Sequence, residues 1–421
     1  MTTRELIMDR PIITSMLDDD KYNFHMGDFF FHRYFDSVAR YGYTCRDFGI
    51  DFAPIYEDIK QQMVFLGELR MTSGECDWLL ANSYCSEQYV SSLYNNPILD
   101  PKNVDLKLYG DGSVDIKYGG KTAYEILREV KLLPIVSELY FRHLYRDNYD
   151  EVVASTQEWI DNEIKWLVEN AHSAFRFFEA GGRRRFSFDR HEQVLTGLWN
   201  GLPKDDMGNP KFIMGTSNCL MGMKHNIPTF GTQAHQLYMF MQTVTHPAHS
   251  MTRGMDEWLD HYKGKLAIAL SDTLGNAKWD RDFTKRYQEA HDGQRHDSGP
   301  EHSWGEMRID AYNRDAIDPM TKKFVFGNSL TPVTGNKYTE MFHGRIGSID
   351  CLMGTYWTNS LGHRFPKHKA LNQVAKMMWA SPFHGSPLLP CGKLGADIDS
   401  AKNQCEDMNH LIYLKSVAQN Y

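Results

Sequence analysis

The feature that most constrains the fold is a rhythm of short apolar runs and longer amphipathic stretches between about Pro134 and Lys376. The runs have the length of β-strands, and the stretches between them are long enough for helices. The candidate strands are residues 175–178, 212–214, 266–270, 323–326 and 347–352. Alternating strands and helices predict a parallel sheet with crossover helices, either open or closed into a barrel.

Two other segments have a clear period. Residues 157–171 predict an amphipathic helix whose apolar face is formed by Trp159, Ile160, Ile164, Leu167, Val168 and Ala171. Residues 104–108 and 114–118 alternate apolar and polar side chains on either side of Gly110-Asp111-Gly112, which predicts a β-hairpin. The chain before about Tyr118 therefore has a different rhythm from the strand–helix region that follows.

Composition excludes several classes of protein. The 421 residues are 42% hydrophobic and 24% charged, as in an ordinary globular protein, and the apolar runs are too short to span a bilayer. The N-terminus turns acidic without the apolar core of a signal peptide, so we expect a cytoplasmic protein with no membrane partner. The seven cysteines include no C-x-x-C pair, which argues against a disulfide framework or a zinc site.

The charge pattern argues against nucleic acid as a main partner. The net charge is −8, and the one marked basic run is Arg183-Arg184-Arg185. Proteins that bind the phosphate backbone usually have a broader basic surface. A local basic pocket for a small phosphorylated ligand remains compatible with this pattern.

Ligands of parallel sheets bind at the carboxyl ends of the strands, so the polar sequences after each run are the candidate sites. Residues 181–187 (Gly-Gly-Arg-Arg-Arg-Phe-Ser) offer forked donors for a carboxylate or phosphate, although such a run can also be a solvated turn. Residues 215–218 (Gly-Thr-Ser-Asn) precede a predicted helix, where they could cap it or bind an anion.

Three further groups follow along the chain. His235 ends the polar segment 228–235, and Asp272 follows the predicted strand 266–270. A carboxylate there could orient the imidazole and leave its other nitrogen free as nucleophile or base. Residues 294–299 (Gln-Arg-His-Asp-Ser-Gly) combine groups suited to a phosphate and a ribose hydroxyl, although alone they would suggest a surface turn.

Taken together and in this order, these motifs resemble those of the nicotinate phosphoribosyltransferases. The matching segments are residues 15–22, 25–26, 44–46, 181–187, 215–218, 231–235, 270–272 and 295–299. The resemblance runs from about Pro11 to Lys376. It implies the type II phosphoribosyltransferase fold, an irregular α/β barrel with a second, smaller α+β domain. In this chain the division would be residues 1–133 joined by 378–421, and a barrel of 134–377.

The resemblance also implies a reaction. Members join nicotinate to phosphoribosyl pyrophosphate, giving nicotinate mononucleotide and pyrophosphate in NAD biosynthesis. Mg²⁺ assists, and ATP hydrolysis is coupled through a phosphorylated histidine. Members are commonly homodimers with shared active sites.

Carried over to this sequence, the resemblance makes His235, Asp272 and Asp297 the catalytic residues. His235 would be phosphorylated and Asp272 would hold its ring. Tyr22 would reach the base from the neighbouring subunit, Arg46 would contact the diphosphate, and Arg183 would lie near the base. The other predicted substrate-binding residues are Ala180, Ser217, Arg295, Ser298, Gly299, Asn328, Gly354 and Thr355. No residue is predicted to ligate a metal.

The sequence also departs from the family. Ala180 replaces an aromatic residue that stacks on the pyridine ring, Pro300 follows Gly299 where an Asp is usual, and Asn328 replaces a ribose-binding carboxylate. The phosphate loop at 352–358 is altered, and the lysine-rich C-terminal motif is not recognised after Lys376. A transferase for a larger base or a different donor, and a non-catalytic homologue, therefore remain alternatives.

Overall fold

The computed structural model describes residues 10–361, 364–400 and 402–421. The first nine residues, which contribute to the prediction that no signal peptide is present, lie outside the described residues. The helices are α1 Lys21–Arg33, α2 Tyr56–Glu68, α3 Ser73–Asn82, α4 Glu87–Leu93, α5 Thr122–Leu144, α6 Tyr149–Asn170, α7 Phe188–Gly201, α8 Cys219–His225, α9 His235–Val244, α10 Ser250–His261, α11 Asn276–Asp282, α12 Lys285–Ala290, α13 Glu301–Arg314, α14 Pro332–Phe342, α15 Thr355–Asn359 and α16 Met408–Asn420. No helix in these ranges is long and apolar enough to cross a membrane.

The strands form two separate sheets. They are β1 Val38–Cys45, β2 Val104–Leu108, β3 Val114–Lys121, β4 Phe177–Glu179, β5 Ile213–Thr216, β6 Ile268–Leu270, β7 Gly293–His296, β8 Lys323–Phe326, β9 Ser348–Met353, β10 Gln373–Ser381 and β11 Leu389–Pro390. The first sheet has the order β11-β10-β1-β3-β2 and is antiparallel. It contains the predicted hairpin, in which Val104 pairs with Tyr118 and Leu108 with Val114.

The second sheet has the order β5-β4-β9-β8-β7-β6, and every neighbouring pair is parallel. An extended segment joins its two edges. Thr216 of β5 donates to the carbonyl of Pro228 and accepts from the amide of Phe230, and the Gln233 side chain donates to the Ile268 carbonyl of β6 at 2.8 Å. The sheet is thus an irregular α/β barrel accompanied by a smaller antiparallel sheet, which confirms the predicted fold class.

The predicted strands are present, with small shifts in their ends. β8 has the predicted bounds, whereas β5 continues two residues further and β6 begins two residues later than predicted. The strand β7 was missed because its sequence, Gly-Gln-Arg-His, has no apolar residue. Its buried Gln294 is satisfied by side chains instead, accepting from Trp279 Nε1 at 2.7 Å and donating to the Tyr312 hydroxyl at 2.9 Å.

Helix α5 carries buried charges to the site. Its Glu125, Arg128, Glu129, Lys131 and Glu138 are all buried. Burial of ionised groups is tolerated when they are paired, and Lys131 lies 2.5 Å from Asp19.

The two proposed domain boundaries fall inside α5 and β10, and the division itself remains a prediction. In α6, the predicted apolar face is buried at Trp159, Ile160 and Leu167, but Val168 is half exposed because it lies at the edge of that face.

Candidate active site

A cavity of about 790 Å³ lies at the carboxyl ends of the parallel strands. Eleven of the predicted site residues line it: Tyr22, Arg46, Ala180, Arg183, Ser217, His235, Arg295, Asp297, Asn328, Gly354 and Thr355. Four of them follow parallel strands directly: Ala180 follows β4, Ser217 follows β5, Asp297 follows β7 and Gly354 follows β9. Because the strands are parallel, these positions meet at one end of the barrel.

His235 and Asp272 form the centre of the charged end. His235 begins α9, and its Nε2 lies 2.7 Å from Asp272 Oδ1. Lys393 Nζ lies 2.6 Å from the same nitrogen and 2.9 Å from Asp272 Oδ2. Burial, with Lys393 beside the ring, lowers the pKa of His235 to about 4, so the imidazole is neutral at physiological pH.

The carboxylates around this ring stay ionised. Burial alone would raise the pKa of Asp272, but Lys393 and His235 hold it well below its ordinary value. Asp297 lies 3.5 Å from Lys393 and 3.6 Å from His235. Against the opposing effect of burial, Lys393 lowers its pKa to about 2. The cluster therefore combines two carboxylates, one ammonium and one neutral imidazole.

Ser298 and Gly299 do not line the cavity, so their predicted role as substrate-binding residues changes. Ser298 is buried behind Asp272, and its hydroxyl donates to Asp272 Oδ2 at 2.5 Å. Gly299 has φ +88° and packs close to Ala396, so it shapes the turn after β7. Asp272 lies beside the cavity wall as well, where it orients His235 and Lys393.

Two lysines of the C-terminal segment were missed by sequence reasoning. Lys393 contacts His235 and Asp272, and Lys402 Nζ lies 2.9 Å from Asn328 Oδ1 and also donates to the carbonyl of Asp297. Both lysines line the cavity, although the sequence after Lys376 shows no recognisable lysine-rich motif. The sequence gives little sign that Lys393 belongs to the site. Gly392 directly precedes it and Gly395 follows two residues later.

Asn328 connects this segment to the barrel. Its Oδ1 accepts from Lys402, and its Nδ2 donates to Glu301 Oε1 at 3.3 Å. An amide can bind a cation on one side and a carboxylate on the other, whereas a carboxylate cannot donate. The replacement of an expected carboxylate by Asn328 therefore keeps a polar contact in the cavity wall but removes one negative charge.

The opposite side of the cavity mouth contains Arg183. Its Nε lies 3.6 Å from Asp20 and its Nη1 lies 3.8 Å from Glu129. Ser217 donates to the other oxygen of Asp20 at 2.5 Å. The guanidinium is held by two carboxylates but remains partly exposed, with 39% of its side chain accessible. It can therefore bind an incoming anion.

Tyr22 lines the cavity of its own chain, and its predicted contact with the base bound by a neighbouring subunit stays a prediction. The start of α1 is tied to the barrel, because the Lys21 amide donates to the Ser217 carbonyl at 2.8 Å. Gly231, at φ +155°, passes so close that a Cβ there would lie 2.5 Å from the Tyr22 nitrogen. A residue with a side chain would push α1 away from the site.

Ala180 leaves the cavity wall without the aromatic ring expected there. Two other rings lie on this wall, since Phe178 and Phe230 both line the cavity with their centroids 4.3 Å apart.

The cavity as a whole is strongly basic. Four carboxylates line it, whereas the lysines and arginines are nine: Arg46, Arg183, Arg184, Arg295, Lys323, Lys369, Lys376, Lys393 and Lys402. This excess favours a substrate with several negative charges.

One group of side chains has the spacing of a metal site. The ligand atoms of His235, Asp272 and Asp297 lie within 4.8 Å of one another. The Lys393 ammonium contacts all three residues, at 2.6, 2.9 and 3.5 Å. A cation is therefore already in place between these ligands, and the group does not fit a metal ion held by the protein.

Comparison with known proteins decides the family. The description "Nicotinate phosphoribosyltransferase (NAPRTase) family" matches residues 175–420, and that of the N-terminal domain of the same family matches residues 17–137. The chain belongs to the nicotinate phosphoribosyltransferase family. It is an enzyme of this kind.

Relatives of this family cover almost the whole chain. The nicotinate phosphoribosyltransferase of Burkholderia mallei is 34% identical over 414 residues, which are 96% of each protein. A crystal structure of the Vibrio cholerae enzyme has a TM-score of 0.84 at 28% identity and covers 97% of this chain and 94% of that one. The Porphyromonas gingivalis structure has a TM-score of 0.86 at 24% identity, over 97% of this chain and all of that one, which supports the fold.

Proposed function

We propose that the enzyme transfers the phosphoribosyl group of phosphoribosyl pyrophosphate to nicotinate, giving nicotinate mononucleotide and pyrophosphate for NAD biosynthesis. The observation that carries this proposal is one cavity with a partly exposed arginine, Arg183, at one side and a cluster of cations around Asp297 at the other. Arg183 would bind the nicotinate carboxylate, since its fork of donors matches a carboxylate. Tyr22 would contact the pyridine ring.

The transfer itself requires charge stabilisation more than covalent chemistry. The bond from the anomeric carbon to the pyrophosphate oxygen breaks as the pyridine nitrogen attacks that carbon, and the ribose gains positive charge. Arg46, Lys393 and Lys402 would stabilise the departing pyrophosphate, and Asp297 would stabilise the ribose. Preorganised charges of this kind usually give the largest part of a rate acceleration.

We further propose that ATP is coupled to the reaction through phosphorylation of His235. In the tautomer whose Nε2 proton is held by Asp272, the lone pair is on Nδ1, which would attack the γ-phosphorus of ATP as ADP leaves. Asp272 would then stabilise the charge on the phosphorylated ring. The low pKa of His235 favours this role, because the nucleophile is present without prior deprotonation.

Mg²⁺ would enter with a substrate. Since Lys393 lies within the group formed by His235, Asp272 and Asp297, no step is assigned to a metal ion held by these side chains. Mg²⁺ commonly binds through substrate phosphates with few protein ligands, and a diphosphate or ATP can supply those oxygens.

We also propose a homodimer, in which the partner subunit would cover the mouth of the cavity near Arg46. Light scattering would test the oligomeric state.

The three alternatives have different support. A larger base is favoured by Ala180, which leaves space where a stacking ring is expected. A non-catalytic homologue is disfavoured by the buried cluster of His235, Asp272 and Lys393, whose only evident use is chemistry. An altered sugar donor is not favoured by any particular contact.

The test is release of pyrophosphate from phosphoribosyl pyrophosphate with nicotinate, with and without ATP. We expect Asp297→Asn to lose transfer, and His235→Asn to lose both labelling by γ-labelled ATP and the stimulation by ATP. His302→Asn is the matched control, because His302 is 63% exposed and lies on α13. Absence of nicotinate-dependent release by the unmodified enzyme would remove the proposal.

A further inference from the structure

Two of the positions at which the sequence departs from its family lie side by side in the structure. Pro300 stands where an acidic residue is usual, and Asn328 stands where a carboxylate is expected. The residue after Pro300 is Glu301, and its Oε1 lies 3.3 Å from Asn328 Nδ2. An acidic side chain is therefore present one residue beyond the first departure and in contact with the second.

The two neighbours of Asn328 allow only one orientation of its amide. A carboxylate accepts hydrogen bonds but does not donate them, and an ammonium donates but does not accept. Nδ2 must therefore face Glu301, and Oδ1 must face Lys402, whose Nζ lies 2.9 Å away. An aspartate at position 328 would oppose its charge to that of Glu301, whereas an amide satisfies both neighbours.

Glu301 is itself held from the side away from Asn328. It is the first residue of α13, and its Oε2 accepts from the Tyr338 hydroxyl of α14 at 3.0 Å. Burial, with Glu301 beside the ring, raises the pKa of Tyr338 to about 12, so the hydroxyl keeps its proton for this contact. An acidic side chain is also favoured at a helix N-terminus. Each oxygen of Glu301 therefore has its own donor, which fixes the carboxylate.

Asn328 in turn orients Lys402. Both side chains line the cavity, whereas Glu301 lies behind them. Besides Asn328 Oδ1, the Lys402 ammonium contacts the carbonyl oxygen of Asp297. These two partners are uncharged, so they direct the ammonium without neutralising it. Its charge remains available to an anion in the cavity, which it would not be beside a carboxylate at position 328.

We propose that Glu301 is a positioning residue for the sugar diphosphate substrate, which acts through Asn328 to direct the Lys402 ammonium into the cavity. This inference rests on the proposed function, in which Lys402 stabilises the departing pyrophosphate. It makes Glu301 and Asn328 a matched pair. A carboxylate at position 328 is then compatible with binding only when position 301 carries no charge.

The test compares four proteins: the unmodified enzyme, Asn328→Asp, Glu301→Gln and the double variant. Calorimetry with Mg²⁺ present measures the Kd of phosphoribosyl pyrophosphate. We expect Asn328→Asp to weaken binding about tenfold or more, because two like charges would then be opposed beside the substrate. Glu301→Gln alone should weaken it about threefold, since its amide oxygen still accepts from Asn328 but without a charge.

The double variant decides between positioning and a general structural role. Its glutamine can donate to the new carboxylate, and one negative charge is kept in the pair. We expect it to bind about threefold more tightly than Asn328→Asp. Glu301→Gln would thus weaken binding in one background and strengthen it in the other, whereas a structural defect would weaken both. The KM for nicotinate should stay the same in all four proteins, because Arg183 lies at the other side of the cavity.

Glu306→Gln is the matched control, because Glu306 lies on the same helix and pairs with Arg345 instead. It should leave the Kd unchanged. If Asn328→Asp does not fold, Glu301→Ala is compared with and without Asn328→Ala, and it should have no further effect once the Asn328 amide is gone. An effect of Glu301 substitution that is equal in both backgrounds would overturn the inference. Failure of the unmodified enzyme to bind phosphoribosyl pyrophosphate would instead remove the proposed function, and the inference with it.

Discussion

The two ends of the cavity differ in how completely their charges are paired. At the end containing His235, the buried Asp272 and Asp297 are both paired with Lys393, which also contacts His235. Within the barrel, Asp350 is a carboxylate with no hydrogen bond among the described residues, and Lys323 and Arg176 act on it only from a distance. A paired cluster is organised before substrate arrives, whereas an unpaired carboxylate is left with the cost of its desolvation.

The largest effect is expected at the paired end, from Lys393→Met. Asp272 would remain buried beside a neutral imidazole with no cation, and breaking a buried ion pair in this way costs about 3–5 kcal/mol. Turnover should be lost as well. Urea denaturation followed by circular dichroism measures the change in stability.

Lys402→Met is the matched control for Lys393→Met. Lys402 binds the Asp297 carbonyl and the Asn328 amide oxygen, which are uncharged. Its loss leaves no buried charge, so we expect a smaller cost of about 1–2 kcal/mol. Equal destabilisation by both substitutions would contradict the view that Lys393 holds the cluster together.

The second effect concerns pH. An imidazole of ordinary pKa would be about 90% protonated at pH ~5.5, whereas the pKa of His235 is about 4. A lowered pKa keeps the neutral nucleophile at lower pH, so phosphorylation by γ-labelled ATP should fall only as the pH approaches 4. The initial rate of labelling between pH 8 and 4.5 measures this. A rate that is already half lost near pH 6.5 would show that Lys393 and burial do not act on the ring.

The third effect is expected at the base site, from Ala180→Phe. A ring at this position would restore a stacking surface for the pyridine, and such contacts are worth about 0.5–1.5 kcal/mol. The KM for nicotinate should fall about two- to tenfold with little change in kcat, because substrate and transition state gain equally. Ala180→Leu fills a similar space without a ring, and an equal fall in KM for Leu would assign the effect to volume alone.

The sequence predicts the parts of this site that topology determines. Ala180, Asp272 and Asp297 follow strands β4, β6 and β7, and in a parallel barrel such positions converge. The pairing of His235 with Asp272 could be anticipated for the same reason. Strand β7 was not predicted, but Arg295 and Asp297 were still assigned to the site because residues 294–299 were recognised as a motif.

The other contacts could not be predicted because no local pattern encodes them. Lys393 lies 158 residues from His235 along the chain, in an irregular segment with no hydrophobic period. The contact of Ser298 with Asp272 depends on how the turn at Gly299 is packed, and the placement of Tyr22 depends on the close passage of Gly231. Each of these three placements is determined by tertiary contacts, and the secondary-structure propensities of the residues carry no information about such contacts.

The smallest expected effect is on the stability of Asp350→Asn, which should increase, whereas Lys393→Met should decrease stability. Asp350→Asn removes a carboxylate that burial disfavours, so the variant should be more stable than the unmodified enzyme by up to about 1 kcal/mol at neutral pH. Because the pKa of Asp350 is raised on folding, the unfolded chain loses this proton first as the pH increases, and stability declines above the ordinary pKa. The advantage of the variant should therefore grow with pH and vanish in acid.

Asp297→Asn provides the reverse case on the same barrel. The pKa of Asp297 is lowered to about 2, so its ionised form stabilises the folded chain above the ordinary carboxyl pKa, and this contribution is lost as the pH falls towards 2. At neutral pH, Asp297→Asn should lower the melting temperature while Asp350→Asn raises it. If both substitutions move the melting temperature in the same direction, pairing does not distinguish the two ends, and Asp350 would have a partner within the barrel that makes it part of the same network.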